Sequence, residues 1–120
     1  MCANFEAIRK NRAFLIDLPE PDQLQFPEDI FPNYPSPLIF SNDGKIEWRS
    51  VNFGMISKWA KEKNFGKYTY NARTETVAEK PSFREAWHKS QFGLIPVETI
   101  FEPKYIDGKS HWYGIAREDG

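Results

Sequence analysis

Six of the chain's nine prolines fall between residues 19 and 37, in PEPDQLQFPEDIFPNYPSP. Proline fixes φ and brings no amide hydrogen, so this stretch is expected to be extended and irregular rather than a helix or a central strand. It also carries Phe26, Ile30, Phe31 and Tyr34. It is therefore expected to lie across the body of the protein, anchored by these side chains. Regular structure has to come from the flanking sequence.

That flanking sequence is punctuated by Asp-Gly pairs. PLIFSNDGKIEWRSVNFGM (37–55) reads as a hairpin turning at Asp43-Gly44, a pair suited to positive φ. Ile39, Ile46, Trp48 and Val51 are strand residues. SKWAKEKN (57–64) reads as a short helix capped by Ser57. YTYNART (68–74) is rich in strand formers. PSFREAWHKS (81–90) reads as the clearest helix, with Ser82 and Glu85 at capping-box spacing and Phe83 and Trp87 on one face. Strands return in GLIPVETIFEPKYIDGKSHWYGIA, turning at Asp107-Gly108. Pro103 within it calls for a sheet edge or a bulge. A further Asp-Gly pair at 119–120 suggests that the last strand has lost its partner, which leaves an exposed edge. The fold class expected is α+β, mainly antiparallel β with short helices. At 120 residues there is room for a single domain.

No stretch approaches the roughly 20 apolar residues of a membrane span, and the N-terminus lacks a secretory pattern. A single cysteine excludes an internal disulfide. A cytoplasmic location is expected, with no membrane partner. The net charge of −1 gives no global case for nucleic acid, but the distribution is uneven. Residues 1–50 hold five Lys/Arg against eight Asp/Glu, and residues 58–89 hold eight against four. The basic middle is interleaved with Trp59, Phe65, Tyr68 and Tyr70. It reads either as a groove that follows phosphates and stacks bases, or as a solvated face over ordinary core aromatics.

No P-loop, GxGxxG, HExxH or CxxC occurs, so no cofactor and no metal site is expected. His88 and His111 lack nearby ligand partners and read as structural or solvent-facing. Cys2 is different because of its place. Removal of Met1 would leave an α-amine beside a thiol. With an ordinary pKa of about 8, that amine is partly neutral at physiological pH. It can form a Schiff base with an aldehyde, and the thiol can then close a thiazolidine. Cys2 as merely the second codon is the alternative.

MCANFE at the start, FGMISKWAKE (53–62), NARTETVAEKPSFREAW (71–87) and GLIPVETIFEPK (93–104) together resemble the SRAP family, in the family's order and spacing. These are the SOS-response-associated peptidases, or abasic-site processing proteins. The resemblance implies an incomplete β-barrel-type core. It identifies residues 1–120 as the N-terminal portion of an SRAP-like domain lacking the C-terminal half. The second-half histidine of the family is missing, and neither His88 nor His111 aligns with it.

The resemblance also implies binding of single-stranded DNA and a thiazolidine crosslink between Cys2 and an abasic site, with self-removal of Met1 and peptidase or lyase-like chemistry. Cys2 would be the nucleophile, Asn71 its orienting partner and Glu102 the acid/base. Arg73, Lys80 and Arg84 would hold phosphates, and Trp59 would stack on bases. DNA binding would make the cytoplasmic protein nucleoid-associated. A second polypeptide or a homodimer would complete the sheet. The alternatives are a non-covalent single-strand-binding module and an inactive fragment completed by a partner.

Overall fold

The computed structural model describes residues 3–62 and 65–119. Six strands form two antiparallel sheets. β1 (Asn4–Ala7), β2 (Asp29–Ile30), β5 (Val97–Ile106) and β6 (Lys109–Ile115) make a four-stranded sheet in the order β2-β1-β5-β6. β3 (Pro35–Asn42) and β4 (Lys45–Asn52) make a two-stranded one. A short helix, α1 (Arg84–His88), and 3-10 turns at Lys10–Ile16 and Phe65–Tyr68 complete the regular structure. The fold is mainly antiparallel with few short helices, and no barrel closes among the described residues.

Both internal Asp-Gly pairs turn hairpins as expected. Asp43 and Gly44 have φ 49° and 84°, and Asp107 and Gly108 have 51° and 76°. Two positive φ values in a two-residue loop make the type I′ turn, whose twist matches that of the flanking strands. Such a turn also fixes which residues bond across the hairpin. Asn42 and Lys45 close the first turn as a hydrogen-bonded pair, so every second residue of β3 counted back from Asn42 bonds to β4. Pro35, Pro37 and Ile39 fall on the other parity and face away. Ile39 accordingly exchanges both backbone bonds with Leu94, at 2.9 Å each. The two prolines stand where no amide is needed.

The proline-dense stretch is thus less irregular than expected, since it contributes β2 and opens β3. Its anchoring is divided. Ile30 is fully buried and Phe26 packs on the core, whereas Phe31 and Tyr34 are exposed and meet edge to face.

Pro103 obeys the same parity rule. Counting back from the Ile106–Lys109 pair, Ile106, Lys104, Glu102 and Ile100 bond to β6, and Pro103 faces the β1 side. The described pairing of β1 ends at Asn4 opposite Phe101, so the proline nitrogen lies past it. A register shift between Glu6 and Ala7 marks a bulge in the same pairing.

Two local expectations fail. Residues 57–62 form a turn, closed by the Ala60 amide on the Ser57 carbonyl at 2.9 Å, and residues 63 and 64 of the expected helix lie outside the described residues. Residues 68–74 are not a strand. They run from the 3-10 turn into bends, because Thr69 is spent on Met55: the Met55 amide donates to the Thr69 carbonyl, and the Thr69 hydroxyl donates to the Met55 carbonyl at 2.6 Å. The helix at 81–90 shrinks to α1. Its capping position is Phe83, with no side-chain cap, and Ser82 makes no capping box. The turns before it satisfy the free amides instead, Arg84 bonding to the Lys80 carbonyl at 2.9 Å.

The core is Phe5, Ala7 and Ile30, with Phe26, Phe53, Ile95 and Val97 packed against it. Each large side chain buried there stabilises by about 1.5–3 kcal/mol. Arg12, in the first 3-10 turn, ion-pairs with Glu98 of β5 at 2.7 Å and ties that turn to the sheet.

Candidate functional site

Glu102 projects from the middle of β5, opposite Tyr113 of β6. Side chains alternate between faces along a strand, so Glu102 shares its face with Ile100, and Ile100 stands opposite Phe5. Glu102 is therefore on the sheet face that carries Phe5. From Phe5 a run of edge-to-face rings crosses to the other side of the site. Phe5 meets Phe53 with centroids 5.1 Å apart, and Phe53 meets Tyr70 at 5.8 Å. Tyr70 directly precedes Asn71, and Thr69 is pinned to Met55 as described. The ring chain links the Phe5 face of the sheet to the residue just before Asn71. Asn4, two residues after Cys2, begins β1 there and donates its side-chain amide to the Ile30 carbonyl at 3.1 Å. Cys2 itself lies outside the described residues.

Asn71 is the distinctive group. Its Nδ2 is buried and has no hydrogen-bond partner among the described residues. A buried donor left unmade costs about 1–3 kcal/mol. A ligand acceptor arriving at that nitrogen would remove the cost.

The expected DNA-contacting residues lie on a separate surface. Trp59 is 58% exposed and meets Phe65 edge to face at 5.3 Å, and Phe65 meets Tyr68 at 5.8 Å. Lys67 places its Nζ 4.9 Å from the Tyr68 ring centre. Trp59 and Tyr68 are open rings with a cation beside Tyr68, and Phe65 between them is half-buried.

Trp59 also lines a groove with Lys58, Ser82, Glu85 and Lys89. Arg73, Lys80 and Arg84 are exposed along one continuous run of turns into α1. The Arg73 carbonyl accepts from Val77 at 2.8 Å, and the Lys80 amide donates to the Thr76 carbonyl at 2.9 Å. Trp87, in contrast, packs on Phe92.

Lys58 and Lys89 are groove cations that sequence reasoning left out of the site. Lys89 donates to Glu85 at 2.8 Å, and this bond, its charge and that of Lys58 hold the Glu85 carboxyl below its ordinary range. The i, i+4 spacing of Glu85 and Lys89 was the available signal. His88 sits within hydrogen-bond distance, 3.1 Å, of the Ala78 carbonyl, and His111 is exposed on β6. Among the described residues no group of three or more His, Cys, Asp or Glu is arranged to hold a metal ion. No helix there is long and apolar enough to cross a membrane.

Known proteins are similar to this chain in sequence or in fold. The abasic site processing proteins YoqW and YoaM of Bacillus subtilis (strain 168) are 40% and 39% identical to it over 67 residues, which is 56% of this chain and 27% of each of theirs. The chain thus matches about a quarter of the length of these relatives. A crystal structure of a protein from Bordetella bronchiseptica superposes with a TM-score of 0.83 at 28% identity, over 98% of this chain and 58% of that one. The SOS response associated peptidase profile matches residues 1–120 throughout, and the chain belongs to that family, SRAP.

Proposed function

We propose that this chain senses abasic sites in single-stranded DNA and captures them covalently through Cys2. Family membership and the abasic-site names of its relatives support a DNA-damage role. The observation that carries the finer reading is the buried Asn71 amide, which has no hydrogen-bond partner among the described residues.

Hydrolysis of the Met1–Cys2 bond consumes one water and frees the α-amine. The neutral amine attacks the aldehyde carbon of the ring-opened sugar. The carbinolamine loses water to give an imine, and the Cys2 thiol adds across it, its proton passing to nitrogen. The product is a thiazolidine, one water lighter than its reactants. Asn71 donates to an oxygen of the opened sugar, and Glu102 relays protons at the amine and at the departing hydroxyl. General acid–base help of this kind contributes about 10²- to 10⁴-fold.

Arg73, Lys80 and Arg84 follow the phosphates, and Trp59 stacks where the strand is splayed. The peptidase label fits one-time self-processing, and DNA binding makes the protein nucleoid-associated. Residues 1–120 act as the N-terminal portion of an SRAP-like domain.

An intact-mass spectrum, before and after incubation with a single-stranded oligonucleotide holding one abasic site, tests this. The expected result is a chain lacking Met1 that gains the DNA mass less one water, with no gain in Cys2→Ala. Retained Met1 and no adduct would favour the second reading, a non-covalent single-strand binder. The exposed Trp59 and Tyr68 rings, joined through half-buried Phe65, are the observation behind that alternative.

A further inference from the structure

Glu85 is out of keeping with the cations around it. A carboxylate repels a phosphate, so it does nothing for a surface that only follows a DNA backbone. Yet Glu85 lines the same groove as Trp59, together with Lys58, Ser82, Lys89 and Gln91. Lys89 donates to Glu85 Oε1 at 2.8 Å and so spends one of its three ammonium hydrogens. Two hydrogens and most of the carboxylate lone pairs are left for something else. Lys89 and Lys58 hold the carboxyl below its ordinary range, so at neutral pH it accepts hydrogen bonds and does not donate them. The groove measures about 280 Å³, near the lower end for ligand pockets, about 300 Å³. That size suits one flat ring system better than a stretch of backbone.

We infer that this groove takes one base of the bound strand and prefers guanine. The inference rests on the proposed binding of single-stranded DNA and names the base that this part of the site selects. Bases of a single strand stack on aromatic side chains and are read along their Watson–Crick edges. Trp59 supplies the ring and is 58% exposed. The edge has to match a carboxylate beside an ammonium. Guanine sets two N–H donors, N1 and the exocyclic N2, side by side, with the O6 acceptor next to them. Its donors meet the two Glu85 oxygens, and O6 accepts from Lys89 Nζ. Adenine and cytosine each offer one amine beside ring acceptors, and thymine offers one N–H between two carbonyls. None of these three satisfies both carboxylate oxygens. A two-bond match of this kind discriminates by at least about fivefold.

The test uses undamaged DNA, so its outcome is independent of the Cys2 chemistry. The probe is a short labelled oligothymidylate with one central residue changed, and binding is read by fluorescence anisotropy at one salt concentration. A central guanine should tighten binding at least about fivefold over thymine, adenine or cytosine. Hypoxanthine lacks the exocyclic amine and should lose most of that gain. 7-Deazaguanine keeps the whole Watson–Crick edge and should retain it. Glu85→Gln sets an amide N–H against a guanine donor and should bring the guanine-to-thymine ratio close to one. Equal affinity for all four bases overturns the inference, and so does failure of every undamaged oligonucleotide to bind. In either case the intact-mass experiment still decides the crosslink. A guanine preference that survives Glu85→Gln, or that hypoxanthine shares in full, overturns the assignment to this groove.

Discussion

Gly54 and Gly66 touch backbone to backbone. A β-carbon on Gly54 would stand 2.6 Å from the Gly66 α-carbon, and Gly54 has φ 129°, a conformation that side chains rarely adopt. This contact holds the segment after β4 against the 3-10 turn that presents Phe65 to Trp59. Gly54→Ala should therefore destabilise the fold by about 2–4 kcal/mol, through clash and strain together. Thermal melting measures it, and a change under about 0.5 kcal/mol would show that the two backbones separate at no cost.

Asn71 should split function from stability. Its buried amide has no hydrogen-bond partner among the described residues, so Asn71→Ala should leave the melting temperature unchanged or slightly higher. Crosslinking to an abasic oligonucleotide should slow by at least about tenfold, in line with loss of one orienting hydrogen bond. A marked fall in melting temperature would mean that the side chain is structural.

Trp59 should behave as a surface residue in folding and as a contact in binding. Trp59→Ala should change stability by less than about 0.5 kcal/mol. Affinity for undamaged single-stranded DNA, read by fluorescence anisotropy, should drop by the roughly 1–3 kcal/mol of one stacked base. Unchanged affinity would remove Trp59 from the interface.

The Glu85 carboxyl is held low by the hydrogen bond and charge of Lys89, with Lys58 adding to it. A lowered folded value stabilises above the ordinary glutamate pKa of about 4.3. That contribution disappears as the pH falls through the lowered value. Glu85 is fully exposed, so the effect on melting should be slight. A side-chain NMR titration should show its midpoint rising in Lys89→Ala. An unmoved midpoint would show that the pair does not form in solution.

The turns were legible because their cause is local. Asp43-Gly44 and Asp107-Gly108 need positive φ, and few other dipeptides supply it. The family motifs were legible too, and they led to Asn71, Glu102 and Trp59 before any coordinates. The helix expected at 57–64 and the strand expected at 68–74 were misread because neither segment is governed by its own propensity. Thr69 gives its backbone carbonyl and its hydroxyl to Met55, and this long-range pair overrides the strand formers around it.

The amino-acid order alone therefore settled where the chain reverses and, through its resemblance to a family, pointed to Cys2, Asn71 and Glu102. Packing settled the rest. That Tyr70, beside Asn71, reaches the Phe5 face of the sheet depends on three rings, Phe5, Phe53 and Tyr70, drawn from three distant segments. That the Asn71 amide is buried without a hydrogen-bond partner among the described residues depends on everything packed around it. Pairing and burial are properties of residues far apart in sequence, and no local pattern records which of them will meet.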